Sequence, residues 1–214
     1  QDVTLKYMTT KQGSDDWITQ RLGKVTASVI HKIYSDKKTV TKNNLAHSLA
    51  MERLSGRRMA NVKTVDMVRG LTVEPHARNA YENATHHKVS LVGFIQHPTM
   101  NYAGASPDGF VGDDGIIEIK CLNIRNHDQI LKNQRIPKQY LYQMQFQLAC
   151  TQRKWADFVA YHPEADESLY IQRVSPDKTI ITELHNKVAC FLEEVEVLYR
   201  KLKQSNAEEL HKYL

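Results

Sequence analysis

The chain has 214 residues, of which 41% are hydrophobic and 25% are charged. This composition is typical of a soluble globular protein, and the length suits a single α/β domain over residues 1–214. The sequence has no apolar run long enough to span a membrane and no N-terminal secretory signal, so we expect a cytoplasmic protein without membrane association.

The charge distribution permits a polyanionic partner without requiring one. The formal net charge is +5. The denser basic groups are Lys37-Lys38, Arg57-Arg58, and Lys132 with Arg135 and Lys138. Such groups suit either a nucleic-acid groove or solvated loops, and charge alone does not decide between them.

Several common site motifs are missing. Cys121, Cys150 and Cys190 form no close pair, so we expect reduced core thiols rather than a disulfide framework. The ten histidines include no His-x-x-x-His pair and the cysteines no Cys-x-x-Cys pair, which disfavours a zinc site. The chain also lacks a Gly-x-x-x-x-Gly-Lys phosphate loop and a Gly-x-Ser-x-Gly elbow, which disfavours nucleotide hydrolysis and serine-esterase chemistry.

The N-terminal part is predicted to be helical. A short helix over residues 13–22 has Ser14 or Asp15 as its N-cap and ends near Gly23. Further helices are predicted from Thr26 to about Tyr34, over 41–54 and over 64–85, with a polar loop at 35–40. The apolar side of the helix over 64–85 is predicted to carry Val65, Val68, Leu71, Ala77 and Tyr81, and Pro75 implies a kink or break.

The spacing of apolar residues changes from a helical to a strand pattern after residue 88. The predicted strands cover 89–95, 102–106, 109–111, 115–122, 155–161 and 169–174. The predicted helices in this part cover 125–134, 138–151 and 176–204, the last one long and amphipathic. This order predicts an α/β fold with a mixed central β-sheet flanked by helices.

The most informative stretch is Ser106-Pro107-Asp108-Gly109, followed by a turn at 113–115 and a strand that carries Glu118 and Lys120. Because side chains alternate along a strand, Glu118 and Lys120 share one face, while Ile117 and Ile119 point to the other. The hairpin can bring Asp108 back towards Glu118. Pro-Asp-Gly is also an ordinary turn, and Glu-x-Lys is often a solvated face. Because burying these charges in an apolar run without a function would be costly, we favour a site for a hard cation such as Mg²⁺.

Two helices offer further candidates. Glu74, next to Pro75, is either a solvent-facing glutamate or a third carboxylate at a helix break that borders the site. Gln143, Gln145 and Gln147 lie in an otherwise apolar helix. They are either surface residues, or at least one of them faces something polar, such as a phosphate or an ordered water.

The same residues carry a resemblance to a known family. The Ser-Pro-Asp-Gly stretch with Glu118-x-Lys120 resembles the core of the PD-(D/E)XK nucleases. More narrowly, the chain is similar to the lambda-exonuclease, or YqaJ-type, group of phage recombination nucleases. Further segments within roughly residues 13–162 match the family and follow its order along the chain. They are residues 15–17 leading to 21–28, 70–74 with 81–82, 140–145 and 161–163. Cys121-Leu122-Asn123 departs from the lambda pattern, which has a proline after the cysteine.

The resemblance implies an active site with named parts. Asp108 and Glu118 would be metal ligands, together with the backbone carbonyl of Ile119, and Lys120 would act on the nucleophilic water. Glu74 takes the position of an acidic residue near the second metal, and Gln143 that of the active-site glutamine. The residues that match the family's terminal 5′-phosphate ligands are Arg21, Ser28 and Ser106, and Met67 falls near its helix-borne wedge. The implied cofactor is Mg²⁺, two ions per site, with Mn²⁺ as an alternative ion.

The resemblance also implies an activity and partners. The expected enzyme is a 5′-to-3′ exonuclease that digests linear double-stranded DNA to mononucleotides and leaves a 3′ single strand. Family members form a homotrimeric ring around DNA and work beside a single-strand annealing protein in the bacterial host of a phage or prophage. Two alternatives stay open: an endonuclease of restriction or repair type with the same core, and a DNA-binding module that retains the fold without turnover.

Overall fold

The structure is a computed structural model that describes residues 10–34, 39–59 and 65–211, with side chains described for 10–34, 39–59 and 68–206. The helices of the described chain are α1 (Asp15–Arg21), α2 (Ile30–Ile33), α3 (Val40–Ser55), α4 (Val65–Thr85), α5 (Ile124–Asn133), α6 (Lys138–Thr151) and α7 (Lys178–His211). Its strands are β1 (Val25–Thr26), β2 (Val89–Ser90), β3 (Ile95–Gln96), β4 (Ala103–Ala105), β5 (Gly109–Val111), β6 (Gly115–Lys120), β7 (Trp155–Tyr161) and β8 (Leu169–Val174). The bounds predicted for α6, β7 and β8 are confirmed.

Side-chain caps define the start of several helices. Ser14 Oγ accepts a hydrogen bond from the Trp17 amide at α1, as predicted. Asp177 Oδ1 accepts from the amides of Thr179 and Ile180 at the start of α7. The helix predicted from Thr26 to about Tyr34 begins later, because Thr26 ends strand β1 and a 3₁₀ turn at Ala27–Val29 leads into α2. Thr26 is the N-cap residue of that turn but makes no side-chain cap hydrogen bond. The polar loop predicted over 35–40 falls largely on residues 35–38, outside the described residues.

The strands form two sheets. The larger one has the order β2-β5-β6-β7-β8, with β6 and β7 parallel and the other neighbours antiparallel. The smaller one has the order β1-β4-β3. The mixed sheet flanked by helices is therefore confirmed, and the predicted hairpin of residues 109–120 lies at the centre of the larger sheet as β5 and β6.

The two faces of the larger sheet are covered by different helices. The buried apolar residues on the α4 face are Ala77, Tyr81, Val111, Ile117, Ile119 and Val159. Those on the α6 face include Ile116, Met144, Leu148 and Phe158. Because side chains alternate along β6, Glu118 and Lys120 point to the α6 face. A further cluster joins α2, α3, α6 and α7.

Helix α4 differs from its prediction. It continues through Pro75 without a break. Ala77 and Tyr81 are fully buried, but Val68 and Leu71 are 51% and 63% exposed, so the predicted apolar side is wrong for them. Tertiary contacts explain the difference, because α4 packs on β6, β7 and β8 and buries only the residues that face the sheet. The side chains of Val65 and Met67 lie outside the described ones.

The strand predicted over 89–95 is also different. It is two short strands in different sheets, β2 paired with β5 and β3 paired with β4. Between them Gly93 packs so closely on Thr10 that a Cβ atom would lie 2.3 Å from the threonine hydroxyl. The chain therefore leaves one sheet and enters the other within four residues.

The cysteines are free thiols, as predicted, but they are not all in the core. Cys150 is buried, Cys121 is half-buried and Cys190 on α7 is exposed. Among the residues that the structure describes, none of the helices has the length and hydropathy needed to cross a bilayer.

Candidate active site

Glu118 is the centre of the polar cluster on the α6 face. Glu118 as a whole is only 2% exposed to solvent. Gln143 Nε2 donates a hydrogen bond to Glu118 Oε1 at 2.7 Å, and Lys120 Nζ lies 2.6 Å from the same oxygen. Gln147 Nε2 donates to the other oxygen, Oε2. Both oxygens of this buried carboxylate therefore have donors, which offsets the cost of removing it from water.

Asp108 is brought to the same place by the hairpin. Its amide donates to the carbonyl of Ile117 at 3.1 Å, and its Oδ2 accepts from the amide of Ile119 at 2.6 Å. Burial and the nearby carboxylates of Glu118 and Glu74 raise the pKa of Asp108 well above its ordinary value. The predicted convergence of the two carboxylates is thus present in the structure.

Lys120 completes the cluster as a cation. Burial lowers its pKa, but the carboxylates of Glu118 and Asp108 outweigh burial and raise the pKa above the ordinary value for lysine. Its Nζ also lies 5.0 Å from the centre of the Tyr140 ring, at the start of α6. In this arrangement Lys120 can hold an anion or offset developing negative charge.

Glu74 approaches the cluster from α4, on an unbroken helix rather than at the expected break. Its Oε1 accepts a hydrogen bond from Arg78 Nη2 at 2.6 Å. Burial raises the pKa of Glu74; the charge of Arg78 opposes that effect and the charge of Glu118 adds to it. The carboxylates of Glu74, Asp108 and Glu118 therefore lie close enough to influence one another. On the same helix, Arg69 donates to the carbonyl of Leu122 at 3.0 Å and ties α4 to the chain after β6.

The glutamines Gln143, Gln145 and Gln147 of α6 are buried, so the alternative of surface residues is wrong for them. Gln143 and Gln147 both face a polar group, as expected, and that group is the carboxylate of Glu118. Gln145 points elsewhere, donating to the carbonyl of Ser175 and accepting from the amide of Asp177. Gln147 was missed as a site residue. Its spacing of four from Gln143, which places both on one helix face, is the signal that could have found it.

The donor chemistry of the cluster fits a divalent cation. Among the described residues, no group of three or more His, Cys, Asp and Glu side chains is gathered around one point. The protein offers instead two mutually repelling carboxylates, Asp108 and Glu118, with the Ile119 carbonyl predicted as a further oxygen ligand. The Oε1 atom of Gln147 is buried beside them and has no hydrogen-bond partner in the described chain. Crowded acids and an unused oxygen are what a hard cation, alone or hydrated, would satisfy.

A second cluster surrounds Arg21. The guanidinium Nη1 of Arg21 donates to Ser106 Oγ at 2.9 Å, and Trp17 Nε1 donates to the same hydroxyl at 3.0 Å. The guanidinium lies 4.1 Å from the centre of the Trp17 ring. Ser28 Oγ lies 3.1 Å from Thr26 Oγ1, which in turn accepts from Arg21 Nη2 at 3.5 Å. The three residues predicted for phosphate binding, Arg21, Ser28 and Ser106, are thus brought together, and Trp17 and Thr26 join them.

This cluster opens into a cleft of about 660 Å³ between α1, α2 and α3. The cleft is lined by Arg21, Ser28, Lys24, Lys32 and Arg58, with Glu52 as its acidic residue. Burial, together with the neighbouring charge of Arg58, lowers the pKa of Arg21 to about 10, so the guanidinium remains a cation at neutral pH. A half-buried cation with hydroxyl groups around it suits a phosphate group.

The fold and the acidic cluster define a nuclease of the PD-(D/E)XK class. Helices cover both faces of a mixed sheet, and the central hairpin carries Asp108, Glu118 and Lys120 together. A family model of the YqaJ-like viral recombinase domain matches residues 16–154, and the chain belongs to that family. The matched segment contains both clusters described above.

Solved structures agree with the family. The chain is similar to an alkaline exonuclease, LHK-Exo from Laribacter hongkongensis, with 40% identity and a TM-score of 0.84 over 91% of this chain and 99% of that one. LHK-Exo in complex with dAMP gives 39% identity and a TM-score of 0.85 over the same shares. A phage-related exonuclease from Haemophilus somnus 129PT shares the fold at 15% identity and a TM-score of 0.67, over 84% of this chain and 96% of that one. A comparison with curated proteins finds no match. The protein is a nuclease of the phage exonuclease type.

Proposed function

We propose that the protein is a Mg²⁺-dependent exonuclease that degrades the 5′-ended strand of linear double-stranded DNA. The observation that carries this proposal is the link between the two clusters. Ser106 accepts from Arg21, and Asp108 follows Ser106 by two residues. A terminal phosphate held by Arg21 and Ser106 would leave the next phosphodiester close to Asp108 and Glu118. The bound end would then set the position of each cut, so that one nucleotide is released at a time.

Each residue has a role in this chemistry. Asp108 and Glu118 would hold the ions, and Mg²⁺ supplies Lewis-acid stabilisation of the phosphoryl oxygens and activation of a water. Lys120, as a cation, would orient the attacking water and offset negative charge on the phosphate. Gln143 and Gln147 hold the carboxylate of Glu118 in one orientation. Glu74 would neighbour the second ion.

The relatives support the finer points of the proposal. LHK-Exo binds dAMP, a mononucleotide, which is consistent with release of single nucleotides by this chain as well. Removal of one strand from its 5′ end would leave a 3′ single strand for a strand-annealing protein, in line with a viral recombinase domain. We propose a homotrimeric ring on the same family grounds, to be tested by the mass in solution.

Digestion of duplexes with defined ends tests the activity. A linear duplex should yield mononucleotides with Mg²⁺ and nothing with EDTA, and a covalently closed circle should stay intact. Cutting of the closed circle would support an endonuclease instead, and no Mg²⁺-dependent release from any substrate would support a binding module.

The role of Arg21 is tested by the 5′ end itself. A 5′-phosphorylated end should be digested faster than a 5′-hydroxyl end, by roughly 30-fold, because the half-buried guanidinium of Arg21 would pair with the phosphate. Arg21→Ala should abolish the preference. Lys24→Ala is the matched control, because Lys24 lines the same cleft but is engaged with Gln96 and the Phe94 ring. Equal rates on both ends in the wild-type protein would refute the phosphate pocket.

A further inference from the structure

A second pocket borders the active site and has no part in the roles assigned so far. It has a volume of about 880 Å³ and lies between α5, the connection from α5 to α6, and α6. Ile130, Ile136 and Leu141 form an apolar wall. The polar part of the lining is formed by Asn126, Gln129, Asn133, Arg135, Lys138 and Gln139, all of which are exposed.

The charge of this pocket has one sign. Among the residues that the structure describes, the charged ones that line it are Arg135 and Lys138, with no aspartate or glutamate. The remaining polar lining is mainly amide side chains, which can both donate to and accept from the edges of nucleobases. Cations for phosphates, amides for base edges and an apolar wall together suit a nucleotide.

Tyr140 joins the pocket to the catalytic cluster. Its ring lines the pocket, and Lys120 Nζ lies 5.0 Å from the ring centre. The ring is fixed from behind by stacking on Phe158, with centroids 5.7 Å apart. Leu122, another lining residue, follows Lys120 by two positions. The cleft around Arg21 meets the cluster through Ser106 and Asp108, whereas this pocket meets it through Lys120 and Tyr140.

The burial of the cluster determines the form in which DNA can reach it. Glu118 is 2% exposed, and the side chain of Lys120 is 23% exposed. In the proposed end-directed cleavage, the strand enters this recess from a duplex end, where the terminal base pairs can open. Once they open, the bases beside the cut are unpaired, and their faces and edges need new partners.

We propose that the pocket between α5 and α6 binds the unpaired nucleotide on the 3′ side of the scissile phosphate. Arg135 and Lys138 contact its phosphates, the amides contact its base, and Tyr140 forms the wall towards the cut. The placement relative to the cut rests on the proposed exonuclease function. The binding of an unpaired nucleotide rests on the pocket itself.

Binding without cleavage tests the pocket directly. In an Asp108→Asn background, affinity for a single-stranded 12-nucleotide DNA is measured by anisotropy at several salt concentrations. The double variant Arg135→Gln/Lys138→Gln should bind about tenfold more weakly at 0.1 M salt, and its slope of log K against log salt should be smaller by about 1.4, as expected for two lost phosphate contacts. Lys88→Gln/Lys154→Gln, with the same change in net charge at exposed lysines elsewhere, should bind like the parent.

A second variant distinguishes a loss of binding from a folding defect. Asn133→Asp places a negative charge in the pocket without removing a cation and should weaken binding by about threefold through repulsion of the phosphates. Thermal melting of each variant is compared with that of the parent. Affinities and salt slopes equal to those of the lysine control would overturn the proposal. So would a change in molecular mass with Arg135→Gln/Lys138→Gln, because the face would then be a contact between copies of the chain.

A fluorescent base locates the nucleotide. A 5′-phosphorylated duplex carries 2-aminopurine at either the second or the sixth position of the 5′-ended strand. Binding to the Asp108→Asn protein should change the fluorescence at the second position, and Arg135→Gln/Lys138→Gln should remove that change. Signals only at the sixth position would contradict the placement. If the wild-type protein proved unable to cut DNA while the pocket variants still lost single-strand binding, the exonuclease proposal would fail and the binding site would stand.

Discussion

Two buried carboxylates on neighbouring strands of the same sheet have opposite surroundings. Glu118 on β6 faces α6, and Asp157 on β7 faces α4, where Tyr81 donates to its Oδ2 at 2.7 Å. Arg173 Nε and Nη2 donate to the two oxygens of Asp157 at 2.7 and 2.8 Å. The guanidinium of Arg173 lies 3.5 Å from the centre of the Trp155 ring. Asp157 is thus neutralised by a two-pronged arginine pair.

Glu118 has no such arginine pair in the described part of the chain. Its donors are two neutral amides and Lys120, and the same lysine must also offset Asp108. The acids crowd one another, because Glu118 helps to raise the pKa of both Asp108 and Glu74. Breaking a buried carboxylate–arginine pair destabilises a fold, whereas carboxylates that crowd one another suit the cation site that we propose. The following predictions test that distinction, from the largest expected effect to the smallest.

Removal of the crowded groups should abolish catalysis and leave the fold intact. Asp108→Ala, Glu118→Ala and Lys120→Ala are each expected to lower the rate of nucleotide release by roughly 10³-fold or more, since each removes a proposed metal ligand or the proposed source of positive charge in the transition state. Asp108→Asn should not lower the melting temperature, because it relieves repulsion from Glu118 and Glu74. Robust cleavage by Asp108→Ala would contradict the assignment of the site.

Removal of the paired carboxylate should have the reverse effect. Asp157→Ala leaves Arg173 and Tyr81 without their shared partner, so the free energy of unfolding in urea should fall by about 3 kcal/mol. The cleavage rate of the folded fraction at low temperature should change little. A loss of rate as large as that of Glu118→Ala, with stability unchanged, would show that Asp157 belongs to the catalytic machinery.

His97 is a buried ionisable group whose polar neighbours in the described part of the chain are Thr99 and His185 rather than an acid. Burial and the neighbouring His185 lower the pKa of His97 from its ordinary value of 6.5 to about 4, so the folded protein resists its protonation while the unfolded chain accepts the proton. The free energy of unfolding should therefore be fully retained above about pH 6.5 and fall by about 2 kcal/mol as the pH drops to 4. Urea unfolding of the wild type and His97→Gln at pH 7 and pH 4.5 measures this. The same pH dependence in both proteins would contradict the prediction.

Gln147 tests the contribution of the neutral amides. Gln147→Leu removes one donor to Glu118 and is expected to lower the cleavage rate by about tenfold and to raise the Mg²⁺ concentration needed for half-maximal activity. Gln145→Leu is the matched control on the same helix, because Gln145 bonds Ser175 and Asp177 instead. The control should lose stability and keep the Mg²⁺ dependence of the wild type. An unchanged Mg²⁺ dependence in Gln147→Leu would exclude this positioning role.

Local pattern in the sequence determined the elements and the centre of the site. The periods of β7, β8 and α6 predicted their bounds, and strand alternation placed Glu118 and Lys120 on one face of β6 with Asp108 across the hairpin. These features depend on residues close to one another in the chain. The family resemblance brought Arg21, Ser28 and Ser106 together across 85 positions, and the structure agrees.

Only the tertiary structure decided which face each helix buries and which polar groups meet. Gln147 and Gln145 look alike in the sequence, but one reaches Glu118 across 29 positions and the other reaches Ser175. Likewise Val68 and Leu71 fit an apolar stripe yet are exposed, because the sheet contacts another side of α4. Asp157 gave no signal of its pairing with Tyr81, which lies 76 positions away. The reason is physical: burial and pairing come from contacts between distant segments, and a local period carries no information about which segment will be opposite.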